Sequence, residues 1–258
     1  MGARYTRADP NWKSFLGVSF ADVEGRGFPA NLGGMKQILI IGASGGVGSA
    51  LATAYAARGD QVTGLSRSVD GLDLTDEASV EAHIGRLDGP FDVVIVASGA
   101  LEIDGAEPEK TIKSIRQKTM MDQFALNAVG PALVLRHAPD LLPRDGRGVL
   151  QRGTDDLARV GSIGDNKIGG WISYRSAKAA LNQIIRTGAI ELARSHKHSI
   201  CVALHPGTVK TPFTEKYLAR HPAVEASAAA ENIVRVIDGL GAEDTGEFFD
   251  WAGSSVPW

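Results

Sequence analysis

The chain has 258 residues, 43% apolar and 22% charged, which is ordinary usage for a folded α/β domain and too apolar for wholesale disorder. A formal net charge of −3 leaves no basic excess for a phosphate backbone and argues against nucleic-acid binding. No run of about 18 apolar residues predicts a membrane span, and the lone Cys201, with no Cys/His cluster, predicts neither a disulfide nor a metal site.

Residues 1–34 show no sustained period and read as an N-terminal extension, either poorly structured or an arm that packs on a partner subunit through Trp12, Phe15 and Phe20. Arg4, Arg7, Lys13, Asp22 and Glu24 stand where a secretory leader needs an apolar run, so the expected compartment is the cytoplasm. From Met35 the pattern sharpens, and residues 35–258 read as one domain. Ile38–Ile41 is a short apolar strand ended by glycines. Ser49–Arg58 is an alanine-rich helix stopped by Gly59. Gln61–Leu65 predicts a second strand, Ala78–Arg86 a helix, and Asp92–Ala97 a third, fully buried strand. Helical spacing follows over Phe124–Leu142 and Tyr174–Ala193. Ser199–Leu204, Glu231–Leu240 and Gly246–Trp251 add strand, helix and strand. Strands alternating with long helices predict a doubly wound parallel sheet with helices on both faces. One stretch resists this scheme. A central strand belongs between Gly148 and Gly161, yet Gln151, Arg152, Asp155 and Asp156 suit no buried strand, so it is either very short or irregular.

The glycine turn Ile41–Gly48 (IGASGGVG) follows a strand and opens a helix. Gly42 permits the tight turn, Gly46 lets the main chain approach a pyrophosphate, and Gly48 lets the helix sit close to the sheet. The free N–H groups of the helix start favour an anion, and the Ser44 hydroxyl adds a donor. After the second strand, where an NAD site carries a carboxylate for the ribose hydroxyls, this chain has Ser66 and Arg67. That pair suits a 2′-phosphate, so NADP(H) is favoured over NAD(H).

Tyr174 and Lys178 are four residues apart, on one face of a helix. An ammonium beside a phenol favours the phenolate and moves an otherwise poor acid toward the working range. Ser162, twelve positions upstream, offers a hydroxyl to a carbonyl oxygen as charge builds on it.

These elements together resemble the short-chain dehydrogenase/reductase family. They are GASGGVG at 42–48, Asp73-Leu74, VASGA at 96–100, Asn127, Ser162, Tyr174/Lys178 and the segment His205–Thr211, in the family's order and over nearly everything from Met35. The texture of ARVGSIGDN, GGWISYRSAKAALNQ and ALHPGTVKTPF is similar to the branch of C-factor cell-signalling proteins and small carbonyl reductases. The resemblance implies a Rossmann-type catalytic domain over residues 35–258. It implies that Tyr174 moves the proton, that Lys178 assists it and holds the nicotinamide ribose, that Ser162 orients the carbonyl, and that Asn127 holds a water linked to Lys178. It implies cofactor contacts from Gly42, Ser44, Gly46, Val47, Gly48, Ser66, Arg67, Asp73 at the adenine edge, Leu74, Ala97, Ser98, Gly99, Pro206, Gly207, Val209 and Thr211. Three departures stand out: Ala97-Ser98 where the family often has Asn-Ala, Ile41 in place of an opening threonine, and the polar stretch 151–157 ahead of Ser162. A displaced Ser162 would impair catalysis.

The expected function is hydride transfer between NADP(H) and a small carbonyl or alcohol substrate. A catalytically weak NAD(P)-binding signalling or sensor protein of the C-factor type and an NAD-linked dehydrogenase are the alternatives. The resemblance favours a homodimer or homotetramer, with no nucleic-acid and no membrane partner. Cys201 reads as an inert buried thiol, Trp171 as pocket wall or packing, and Phe213 and Tyr217 as a substrate lid.

Overall fold

The computed structural model describes residues 3–5, 34–144, 149–152, 158–210 and 223–258. Seven strands form one sheet in the order β1-β3-β2-β4-β5-β6-β9, comprising β1 (Ala3–Tyr5), β2 (Gln37–Ile41), β3 (Gln61–Leu65), β4 (Val93–Val96), β5 (Val149–Arg152), β6 (Ile200–His205) and β9 (Phe248–Asp250). All pairings are parallel except that of β1, which runs antiparallel along the edge of β3. A two-stranded parallel pair, β7 (Val209–Lys210) with β8 (Val224–Glu225), lies apart from this sheet. The strand order reverses between β2 and β4, and in open α/β sheets the crevice at such a reversal is where ligands bind. The doubly wound parallel sheet is as the sequence pattern predicts. Of the N-terminal extension, residues 3–5, as the β1 edge strand, and Gly34 are described; Trp12, Phe15 and Phe20 lie outside the described residues.

The core is two layers because successive side chains leave a strand on opposite faces. Leu39 and Ile41 of β2 and Val94 and Val96 of β4 bury one way, against α5 (Gly130–Arg136) and α7 (Ile172–Leu192). Ile38, Ile40, Val93 and Ile95 bury the other way, against α1 (Gly46–Ala57) and α8 (Ala226–Gly239). With both faces covered, β2 and β4 carry no polar side chain beyond Gln37, which explains their near-continuous apolar reading. Short helices α2 (Arg67–Asp70), α3 (Glu77–His83), α4 (Gln117–Phe124) and α6 (Ala138–Leu141) complete the connections.

The central strand is very short, but contrary to expectation Gln151 and Arg152 lie within it, paired with Ile95 and Val202 and with Val96 and Ala203. Strand β5 has four residues, pairs Val149 with Val93 and Ile200, and ends at Arg152, ahead of Asp155 and Asp156. Residues 153–157 lie outside the described residues.

Candidate active site

The site is assembled where strands β2, β4 and β6 end. At the first of these ends Gly42 turns the chain at φ 89°, and its N–H and that of Ala43 both donate to the Leu65 carbonyl, at 2.7 and 3.1 Å. A Cβ on Gly42 would lie 2.6 Å from Ser98 Oγ, and one on Gly48 only 2.1 Å from the Gly42 carbonyl oxygen. Neither close approach tolerates a side chain. Helix α1 therefore starts directly on the turn. Its N-cap is Gly45, with no capping side chain, and its first turn holds no acid. The first amides of α1 are left for an anion, and that fits a dinucleotide pyrophosphate.

Beside this cradle the Ser68 hydroxyl lies 2.9 Å from Ser44 Oγ, tying α2 to the glycine turn. Ser66 caps α2, accepting from Val69 N, and its own N–H donates to Asp70 Oδ2 at 2.8 Å. Arg67 is exposed on the next position. Its charge also helps hold the Asp73 carboxyl below the ordinary range, a shift caused first by the hydroxyl and then by the N–H of Thr75. Asp73 and Arg67 thus share one neighbourhood. The side chain of Leu74 is buried, and a Cβ on Gly130 would meet Leu74 Cβ at 2.8 Å, so what Leu74 offers outward is backbone.

Tyr174 and Lys178 continue the buried stripe of α7 that runs on through Leu181 and Ile185. Both are only 2% exposed, and Lys178 Nζ stands 5.6 Å from the centroid of the Tyr174 ring. Gly161 packs directly on this helix: a Cβ there would be 3.0 Å from Lys178 Cβ, while its carbonyl accepts from Asn182 Nδ2 at 3.2 Å. This seats Gly161, the residue before Ser162, against the turn that carries Lys178. The Ser162 hydroxyl donates to the Pro257 carbonyl and accepts from Asp165 N at 3.1 Å. The last residues run back along β9 through a Val256 N–H to Phe248 carbonyl bond of 2.8 Å and end with Trp258 on Phe248, ring centroids 5.5 Å apart. Gly164 N–H donates to the Trp258 carbonyl at 3.1 Å, so the tail holds the serine loop at two points.

Asn127 is fully buried in a π-helical turn, Ala125–Val129, between α4 and α5. Such wide turns cluster at functional positions because they reset which residues face inward. Its Oδ1 accepts from Ala100 N at 3.2 Å and its Nδ2 donates to Ala100 O at 2.9 Å and to Gln123 Oε1 at 2.7 Å. Gln123 Nε2 in turn donates to Leu101 O at 2.9 Å. The two amides staple the Ala97–Leu101 loop that carries Ser98 and Gly99.

Pro206, Gly207 and Val209 are buried after β6, and the Trp251 indole lies 3.1 Å from where a Gly207 Cβ would stand. Thr211, Phe213 and Tyr217 lie outside the described residues. Cys201 is buried in β6, and burial pushes its thiol up to about 12. Among the described residues no cluster of His, Cys, Asp and Glu is arranged to hold a metal. Two relationships have no counterpart in the sequence reading: the Pro257 carbonyl on Ser162, and the buried Glu109 bonded to Ser173, next to Tyr174. No short-range spacing marks either pair.

Residues 36–221 match the family model described as short chain dehydrogenase. The chain is 34% identical over 170 residues to the protein named C-signal of Myxococcus xanthus, covering 66% of this chain and 94% of that one. It is 28% identical over 241 residues to the 1-hydroxy-2-glutathionyl-2-methyl-3-butene dehydrogenase of Rhodococcus sp. (strain AD45), covering 87% and 100%. Among solved structures, a short-chain dehydrogenase/reductase from Burkholderia multivorans with bound NADP superposes with a TM-score of 0.70 at 26% identity, covering 87% of this chain and 100% of that one.

Proposed function

The chain belongs to the short-chain dehydrogenase family and is an NAD(P)-dependent oxidoreductase; from that premise we propose that it uses NADP(H) and interconverts a small carbonyl compound and its alcohol with Tyr174 as the proton carrier. One observation carries the reading: a phenol and an ammonium buried side by side, 5.6 Å from ring centroid to nitrogen, on the helix that packs against the serine loop. When bound, the nicotinamide supplies or takes up the hydride. Tyr174 gives a proton to the nascent alkoxide in reduction and takes it from the alcohol in oxidation. Lys178 stabilises the negative charge this leaves on the phenol oxygen. Its ammonium is also proposed to hold the nicotinamide ribose, and Ser162 to orient the substrate oxygen. Gly42, Ser44, Gly46, Val47 and Gly48 would cradle the pyrophosphate, Ser66 and Arg67 the 2′-phosphate, and Asp73 and Leu74 the adenine edge. Ala97, Ser98 and Gly99, stapled by Asn127, and Pro206, Gly207, Val209 and Thr211 would wall the remainder. The NADP-bound structure of a 26%-identical relative supports the cofactor choice.

The catalytic unit is taken as residues 35–258, acting in the cytoplasm as a homodimer or homotetramer on a small-molecule substrate. The test is oxidation of NADPH and NADH over a panel of aldehydes and ketones. Turnover with NADPH at least about tenfold more efficient than with NADH supports the reading; a preference for NADH overturns the cofactor assignment.

A second reading rests on the Ser162–Pro257 contact and on the relative named C-signal: a nucleotide-binding protein of weak turnover. Here the serine hydroxyl is already donated to the chain's own carbonyl. Tight NADPH binding with no turnover across the panel, restored by removing residues 257–258, would favour it.

A further inference from the structure

Helix α7 begins without a capping side chain of its own. Its N-cap position is Trp171, which makes no side-chain cap bond and stands at φ 52° and ψ 42°. Gly169 and Gly170 before it are both at φ 70°, so three successive residues occupy the left-handed region. Glycine enters that region freely, whereas tryptophan stays there only where its surroundings hold it.

The hold comes from Glu109, in the loop after β4. Its carbonyl accepts from Trp171 N at 2.6 Å. Its carboxylate accepts from Ser173 N at 3.3 Å and from the Ser173 hydroxyl. Glu109 is 5% exposed and Ser173 is fully buried, so the carboxylate is spent on these bonds rather than on water. A negative group at the start of a helix is also favoured by the helix dipole. The next residue is Tyr174. The body of α7 needs no such clamp, because Ala177, Leu181, Ile185, Ala189 and Leu192 bury it. Loss of the clamp would therefore loosen one turn, residues 172–175, and leave the rest of the helix in place.

We propose that Glu109 is a positioning residue for proton transfer: it fixes the first turn of α7 so that the Tyr174 phenol is held in register with Lys178 and the substrate oxygen. It touches no reacting atom and acts through Trp171 and Ser173. The inference rests on the reading of Tyr174 as proton carrier.

The test compares the full chain with Glu109→Ala, Glu109→Gln and Tyr174→Phe, using NADPH and 4-nitrobenzaldehyde, with rates divided by the NADPH sites counted by fluorescence titration. Amide hydrogen exchange is followed in parallel and needs no turnover. Glu109→Ala is expected to lose about tenfold or more in kcat per site, with KM for NADPH within about threefold of wild type. Its amides at 173–175 should exchange at least about tenfold faster while 181–192 stay protected. Glu109→Gln, whose amide oxygen still accepts from Ser173 N–H, should return kcat to within about threefold of wild type. Unchanged exchange at 173–175 in Glu109→Ala overturns the proposal. So does a loss confined to the number of NADPH sites, or a Gln variant as impaired as the Ala variant. If Tyr174→Phe turns over normally, the proton-carrier reading fails instead. If it is inactive while Glu109→Ala keeps wild-type kcat per site, the positioning role alone fails.

Discussion

Lys178 lies one helical turn beyond Tyr174 on the same buried stripe of α7, its ammonium nitrogen 5.6 Å from the centroid of the phenol ring. Both side chains are 2% exposed, so little water screens the ammonium from charge developing on the phenol oxygen. The proton-carrier role proposed for Tyr174 rests on this arrangement, and the first expectation concerns it.

Tyr174→Phe keeps the ring and removes the proton. Turnover should fall by about 10²- to 10⁴-fold, the range for loss of a positioned general acid–base group. NADPH affinity, followed by quenching of intrinsic fluorescence, should change by less than about threefold. Undiminished turnover would remove Tyr174 from the mechanism.

Arg67 is exposed beside Ser66 and the Ser44–Ser68 contact, at the end of β3. Replacing it with alanine should weaken NADP⁺ binding by about 10- to 100-fold, the value of a charge-assisted phosphate bond. NAD⁺ binding should stay within about twofold. Equal losses for both cofactors, measured by calorimetry, would place the arginine away from the 2′-phosphate.

Gly48→Ala puts a methyl group 2.1 Å from the Gly42 carbonyl oxygen. That partner is main chain in the tight turn itself, so the turn must move. Overpacking of this kind costs about 1–3 kcal/mol, and the NADPH site should be lost with it. Denaturant unfolding and NADPH titration of the same variant check both parts. A variant that binds NADPH normally would show that the turn has slack.

Burial pushes the Cys201 thiol from 9.0 up to about 12. At neutral pH the folded chain therefore holds it protonated, and a thiol reagent such as DTNB should label it only after unfolding. The unfolded thiol ionises first as pH rises, so this group favours folding fully below pH 9, and that contribution is lost progressively between pH 9 and about 12. Cys201→Ala should flatten the decline in stability over that window. An identical decline in the variant would assign it to other groups.

How far the sequence reached depends on the range of the interaction. Strands β2 and β4 are legible because a parallel strand buried on both faces must be apolar almost throughout. The glycine turn and the Tyr174–Lys178 spacing are legible because each acts within a few residues. Helix α4 escapes an apolar-period reading: of Gln117–Phe124 only Gln123 is buried, and a Lys118–Asp122 pair at 2.7 Å supports its outer face. The Ala226–Ala230 run begins α8 five residues ahead of the periodic start at Glu231, because alanine needs no apolar pattern to be helical. Ser162 meets Pro257 and Glu109 meets Ser173 across 95 and 64 residues, and such pairings exist only once the chain has folded.

The wide turn at Ala125–Val129 sets the angular phase between two half-helices. Gln123 and Asn127 are four residues apart and so share one face, from which Gln123 reaches the Leu101 carbonyl and Asn127 the Ala100 carbonyl. Deleting one residue there would close the turn into regular helix and change the aim of Asn127, which sits inside it and bonds both backbone groups of Ala100. A chimaera that grafts an uninterrupted helix into this position would need its Ala97–Leu101 loop redesigned with it.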